Sequence, residues 1–214
     1  MRTILCYGDS NTHGAAPRGG PRFDLHVRWP GVLRDTLGAG YWIIEEGCSG
    51  RTTVWEDPIE QHKNGALYLP ALLESHRPLD LVIILLGTND LKHRFGLNAH
   101  DISRGAGTLV DICRRSDAGP ANQPPQVLLL APPPLAPLAG TFFTEMFAGA
   151  EEKSRRFGAH YQQVASERGC HFLDTGKIIV SSPVDAIHWE APEHAKLGAA
   201  VAAKIREILP STEA

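Results

Sequence analysis

Ser10, Asp185 and His188 are residues whose types and spacing suit covalent acyl chemistry. A serine hydroxyl is a weak nucleophile until a base takes its proton. His188 can be that base, because an imidazole with an unperturbed pKa of about 6.5 works at neutral pH. Asp185 lies three residues before it. That spacing lets the carboxylate turn back to the far ring nitrogen and fix the tautomer. Acyl transfer to Ser10 would pass through a tetrahedral oxyanion, which needs donors aimed at it. The candidates are the Ser10 N–H at a helix start, the Gly50 N–H and the Asn89 side-chain amide. Glycine at position 50 allows close backbone approach, and a neutral amide donates without adding charge.

These residues belong to four short clusters: Gly8 to Gly14, Gly47 to Thr53, Gly87 to Asp90, and Asp185 to His188. Taken singly, each has an ordinary reading. Gly8-Asp9-Ser10 is a common turn with capping residues, and Gly87-Thr88-Asn89-Asp90 can be an N-cap. Asp185 and His188 can be a surface pair. Asp9 reads as a residue that bonds loop N–H groups and holds its turn, and His13 as a loop or helix-surface histidine.

The elements around the clusters give them a common place. Apolar runs at Thr3 to Tyr7, Tyr41 to Glu45, Leu81 to Leu86, Val127 to Leu130 and His171 to Asp174 read as strands. Leu81 to Leu86 is apolar throughout, so it should be central and covered on both faces. Helical stretches fall at Val27 to Leu37, Leu69 to Ser75, Asp101 to Arg115, Thr144 to Arg168 and Pro192 to Leu209. Strand and helix alternate, which predicts one domain over residues 1–214, an α/β three-layer sandwich around a five-stranded parallel sheet. In such a sheet, sites are built at the carboxyl ends of strands. The first three clusters follow strands, and the fourth precedes the last helix.

The four clusters together resemble the SGNH (GDSL-type) hydrolases, whose Ser, Gly, Asn and His stand here as Ser10, Gly50, Asn89 and His188. The likeness extends over nearly the whole chain. It is closest to the small bacterial arylesterase and acyltransferase branch, through Ile4 to Ser10, Val27 to Leu33, Ile44 to Thr53, Leu79 to Asp90 and Pro132 to Pro137. His13 departs from it, standing where that branch usually carries Trp. The resemblance implies a flavodoxin-like sheet and a metal-free, cofactor-free Ser-His-Asp esterase. It also implies a homo-oligomer, even in number and often an octamer, that restricts access to the site. Small acyl or aryl esters are the expected substrates, with acyl transfer as a side activity. Carbohydrate deacetylation with the same triad is the alternative. Asn11, Phe143, Phe147 and Ile187 are the candidate substrate contacts. The segment from Pro132 to Phe147 is rich in Leu, Phe and Met, which leaves core packing, an acyl-binding wall and a partner surface all open.

Composition excludes other classes. The chain has 214 residues, 43% apolar and 21% charged, with a net charge of -3. That is a poor balance for gripping nucleic acid phosphates, and no apolar run is long enough to cross a membrane. Ten histidines form no zinc-protease pattern, so no metal is expected. The four cysteines read as buried reduced thiols. The first apolar run, Ile4 to Tyr7, is too short for an export-signal core, which makes the cytoplasm the expected compartment.

Overall fold

Five parallel strands run in the order β2-β1-β3-β4-β5: β1 Arg2–Gly8, β2 Tyr41–Gly47, β3 Leu81–Leu85, β4 Gln126–Ala131 and β5 His171–Asp174. The computed structural model describes residues 1–210, so the last four residues of the domain read as 1–214 lie outside the described residues. The helices are α1 Ser10–His13, α2 Trp29–Leu37, α3 Gly65–His76, α4 Ala99–Arg114, α5 Ala150–Ser154, α6 Phe157–Arg168 and α7 Ala191–Ile208.

Side-chain alternation along the strands assigns the layers. Leu5, Tyr7, Val82, Ile84 and Leu129 enter one core with residues of α3, α4 and α6, among them Leu69, Leu109 and Tyr161. Ile4, Cys6, Leu81, Ile83 and Leu128 enter the other with Trp29 and Leu33 of α2 and Leu197 and Val201 of α7. Every residue of β3 is buried, as its unbroken apolar run predicts. Apart from that run, which ends here at Leu85, the strands extend the sequence reading by at most two residues at each end.

The chain leaves β1 toward β2 on one side, then returns to lay β3 on the other. The carboxyl ends of β1 and β3 therefore diverge into a crevice, the usual ligand position in such sheets. Gly8 ends β1 and Gly87 follows β3, so the first and third clusters meet there. Gly47 brings in the second cluster. It closes β2 against the backbone of His13, where any side chain would collide.

Two expectations are corrected. The long helix expected from Thr144 to Arg168 is split into turns, α5 and α6. Gly149 is left-handed at φ +76 and cannot lie inside a helix. The break frees α5 to serve the preceding loop: Ser154 Oγ accepts the Leu135 N–H and a Glu151 carboxylate oxygen accepts that of Leu138. Of the four thiols, Cys6 and Cys113 are buried, whereas Cys48 and Cys170 are partly exposed.

Candidate active site

Ser10 is the first residue of α1, immediately past the carboxyl end of β1, and only 7% of it is exposed. Asp9 caps the helix by accepting the Asn11 N–H at 3.0 Å. This holds Ser10 at the crevice rather than in the core. His188 Nε2 lies 3.1 Å from Ser10 Oγ, and His188 Nδ1 lies 2.7 Å from Asp185 Oδ2. Asp185 also accepts the N–H groups of Ile187 at 3.0 Å and His188 at 2.9 Å, while the Arg18 N–H reaches its other oxygen at 3.3 Å. Burial works against the Asp185 charge, but the His188 ring and the Ile187 and His188 N–H groups outweigh it, holding its carboxyl below the usual range.

The turn that folds Asp185 back onto His188 passes through Ala186, a buried residue held at φ +70. A non-glycine residue there is strained. Its backbone is fixed from both sides, since its N–H donates to the Ser182 carbonyl and its carbonyl accepts from Ala136. Asn11 tightens the same loop by donating to the Ile187 carbonyl at 3.3 Å.

Gly50 takes the left-handed φ of +82, and a side chain there would strike Glu60 Oε2. Neither its N–H nor that of Ser10 meets an acceptor among the described residues. Asn89 places its amide between the loops, donating to the Arg51 carbonyl at 3.2 Å and lying 3.4 Å from an Asp9 oxygen. Burial pushes the Asp9 carboxyl up to about 6, against the Asn11 N–H and the His188 and Arg51 charges.

A cleft of about 260 Å³ opens at these groups, lined by Ser10, Gly50, Asn89 and His188 on the polar side and by Phe143, Met146, Phe147 and Ile187 on the apolar side. The Phe143 ring lies 6.1 Å from the His188 ring and 5.8 Å from that of Phe147. Three of the four candidate substrate contacts thus face the cleft. Asn11 is buried outside its lining, behind Ile187. The apolar segment before α5 divides its work: Leu135 and Leu138 join the core, Phe143 and Met146 wall the cleft, Phe147 does both, and Phe142 stands 89% exposed.

Two supports have no signal in residue type. Arg51 donates to the carbonyls of Gly8 and Glu46 and stacks 4.2 Å from the Tyr7 ring, pinning the second loop to the end of β1. Asp90 accepts from the Thr53 N–H and hydroxyl, tying the second loop to the third. Burial lifts its carboxyl to about 6 against those two bonds.

The family model of the GDSL-like lipase/acylhydrolase family matches residues 6–200. The chain belongs to that family. A search of curated protein sequences finds no match. Among solved structures, the native aryl esterase of M. smegmatis is 43% identical with a TM-score of 0.93, over 98% of this chain and 100% of that one. A carbohydrate acetylesterase from Sinorhizobium meliloti is 41% identical with a TM-score of 0.93, again over 98% of this chain and 100% of that one. A lipase/acylhydrolase from Enterococcus faecalis, 19% identical over 100% of both chains with a TM-score of 0.67, shares the fold. This GDSL-type chain is a carboxylic ester hydrolase. No described helix is long and apolar enough to cross a membrane, and no cluster of metal-ligating side chains occurs among the described residues.

Proposed function

We propose that the chain hydrolyses small acyl and aryl esters with Ser10 as nucleophile, His188 as general base and acid, and Asp185 as the group that orients the imidazole. The observation that carries this reading is the continuous run of hydrogen bonds from Asp185 through His188 to Ser10, at 2.7 and 3.1 Å, beside a small apolar cleft. With its Nδ1–H given to Asp185, the imidazole presents the Nε2 lone pair to the Ser10 hydroxyl. Ser10 Oγ attacks the ester carbonyl carbon and its proton passes to His188 Nε2. The carbonyl oxygen becomes an oxyanion that accepts from the Ser10 N–H, the Gly50 N–H and Asn89 Nδ2. Donors already fixed in place stabilise that charge without reorganising as it forms.

Collapse of the intermediate breaks the bond to the leaving oxygen, which takes the proton from His188. Water then attacks the Ser10 ester in the same way, releasing the acid and restoring the hydroxyl. An alcohol in place of water takes up the acyl group, which is the transfer side activity. The Phe143, Met146, Phe147 and Ile187 wall supports it by limiting water at the acyl group.

A second reading, deacetylation of a carbohydrate, is supported by the 41% identity to the S. meliloti carbohydrate acetylesterase. The acyl half of both reactions is the same, so they differ only in the alcohol. Stopped-flow mixing with p-nitrophenyl acetate, run beside acetylated sugars, decides between them. A burst of one nitrophenolate per active site and faster turnover of aryl acetates are expected. Faster turnover of the sugars would favour the deacetylase.

We further propose an even-numbered homo-oligomer, supported by apolar side chains left exposed, among them Phe142 at 89% and Ile59 at 70%. A cytoplasmic setting is supported by four unpaired thiols.

A further inference from the structure

On the far side of His188 lies a second, larger chamber of about 600 Å³. It shares Ala15, Phe143 and His188 with the catalytic cleft, so the two spaces adjoin at the His188 side chain. Its body is apolar or bare: Phe142 and Phe143 pack edge to face at 5.4 Å, and Gly19, Gly20 and Gly140 contribute no side chains. The charged groups on its lining other than His188 are Asp185 and Arg18. Asp185 is committed, with both oxygens accepting hydrogen bonds.

Arg18 is not. Its backbone N–H donates to Asp185, but its exposed guanidinium has no ion pair or hydrogen bond among the described residues. The neighbouring Arg22 and Arg28 both meet Glu45. Arg18 is also held at φ +63, a left-handed conformation unusual for a residue with a side chain, and that backbone delivers its N–H to Asp185. A free cation is thus tethered directly beside the triad, at the mouth of an apolar chamber.

We propose that this chamber receives the alcohol half of the ester, and that Arg18 selects leaving groups with an apolar or aromatic body bearing a carboxylate. The inference rests on the esterase reading above and specifies its substrate class. A guanidinium matches the geometry of a carboxylate, and a largely solvated pair of this kind changes affinity by roughly fivefold.

The test compares three acetates: phenyl acetate, its 3-carboxylate analogue and its 3-trimethylammonio analogue. Wild type, Arg18→Asn and Arg18→Lys are assayed on each. Asparagine tolerates the left-handed backbone. Each ester is compared with itself across enzymes, so intrinsic reactivity cancels. In Arg18→Asn the kcat/KM of the anionic ester should fall about fivefold relative to phenyl acetate, and the cationic ester should gain. Arg18→Lys should restore most of the preference, and added salt should weaken it in the wild type. Equal changes on all three esters, or none, would overturn the selectivity while leaving the esterase reading intact. If the wild type cleaved none of the three, the esterase reading itself would fall.

Discussion

Asn89 carries two amide hydrogens. One is engaged by the Arg51 carbonyl at 3.2 Å, and the other has only a long contact to Asp9 at 3.4 Å. An oxyanion at Ser10 offers that second hydrogen a stronger acceptor than anything the resting site provides. Asn89→Ala should therefore lower kcat about a hundredfold with little change in KM, because the bond forms with the transition state. A loss confined to KM would remove Asn89 from that role. The five residues of the proposed machinery were legible in the sequence because each has a reactive or donor group in a cluster at the edge of an element. Ala186 and Asp90 were not. Ala186 matters through a backbone angle, and Asp90 through a carboxylate that reaches Thr53 from another loop. Neither property is visible in residue type.

The strands were legible because burial on both faces demands unbroken apolar runs, as in β3. The break at Gly149 before α5 was not, since it shows in a backbone angle and sets Glu151 and Ser154 against the Leu135 and Leu138 N–H groups of the preceding loop. The first turn of α7 shows how an element holds the site. His194 accepts the Trp29 N–H on Nδ1 and packs 5.4 Å from Trp189, the residue after His188. Burial lowers its pKa from 6.5 to about 4. The folded chain thus favours the neutral ring, and this contribution to stability is complete above pH 6.5 and is lost as pH falls toward 4. Asp9 and Asp90, raised to about 6, act in the opposite sense over pH 3.8 to 6, so the comparison must be made against a variant. His194→Asn keeps an acceptor for Trp29 and cannot titrate. Its stability deficit in urea unfolding should shrink by about 2 kcal/mol between pH 7 and pH 4.5. A deficit independent of pH would show that His194 does not titrate as described.

The molecule as a whole places a cleft of about 260 Å³ next to a chamber of about 600 Å³, with His188 between them. On the proposed reading the smaller space takes the acyl group, so p-nitrophenyl acetate should outpace the octanoate in kcat/KM by at least about tenfold. A preference for long chains would mean that the Phe143 and Phe147 wall yields to the acyl tail. The proposed assembly makes a separate prediction. Light scattering should give an even multiple of the 23.3 kDa chain mass. A monomer would leave Phe142 and Ile59 exposed to water and remove the proposed interface.

The central claim is that Ser10 forms the covalent intermediate, and a phosphonate ester tests it most directly. Such a reagent transfers its phosphorus to the nucleophile, expels its leaving group and leaves a stable tetrahedral adduct. Intact-mass spectrometry of the treated protein should show one adduct per chain in step with loss of esterase activity. Peptide mapping should place it on Ser10, and Ser10→Ala should remain unlabelled with less than about a thousandth of the wild-type rate. An adduct on another residue, or a Ser10→Ala variant that still turns over esters, would contradict the account.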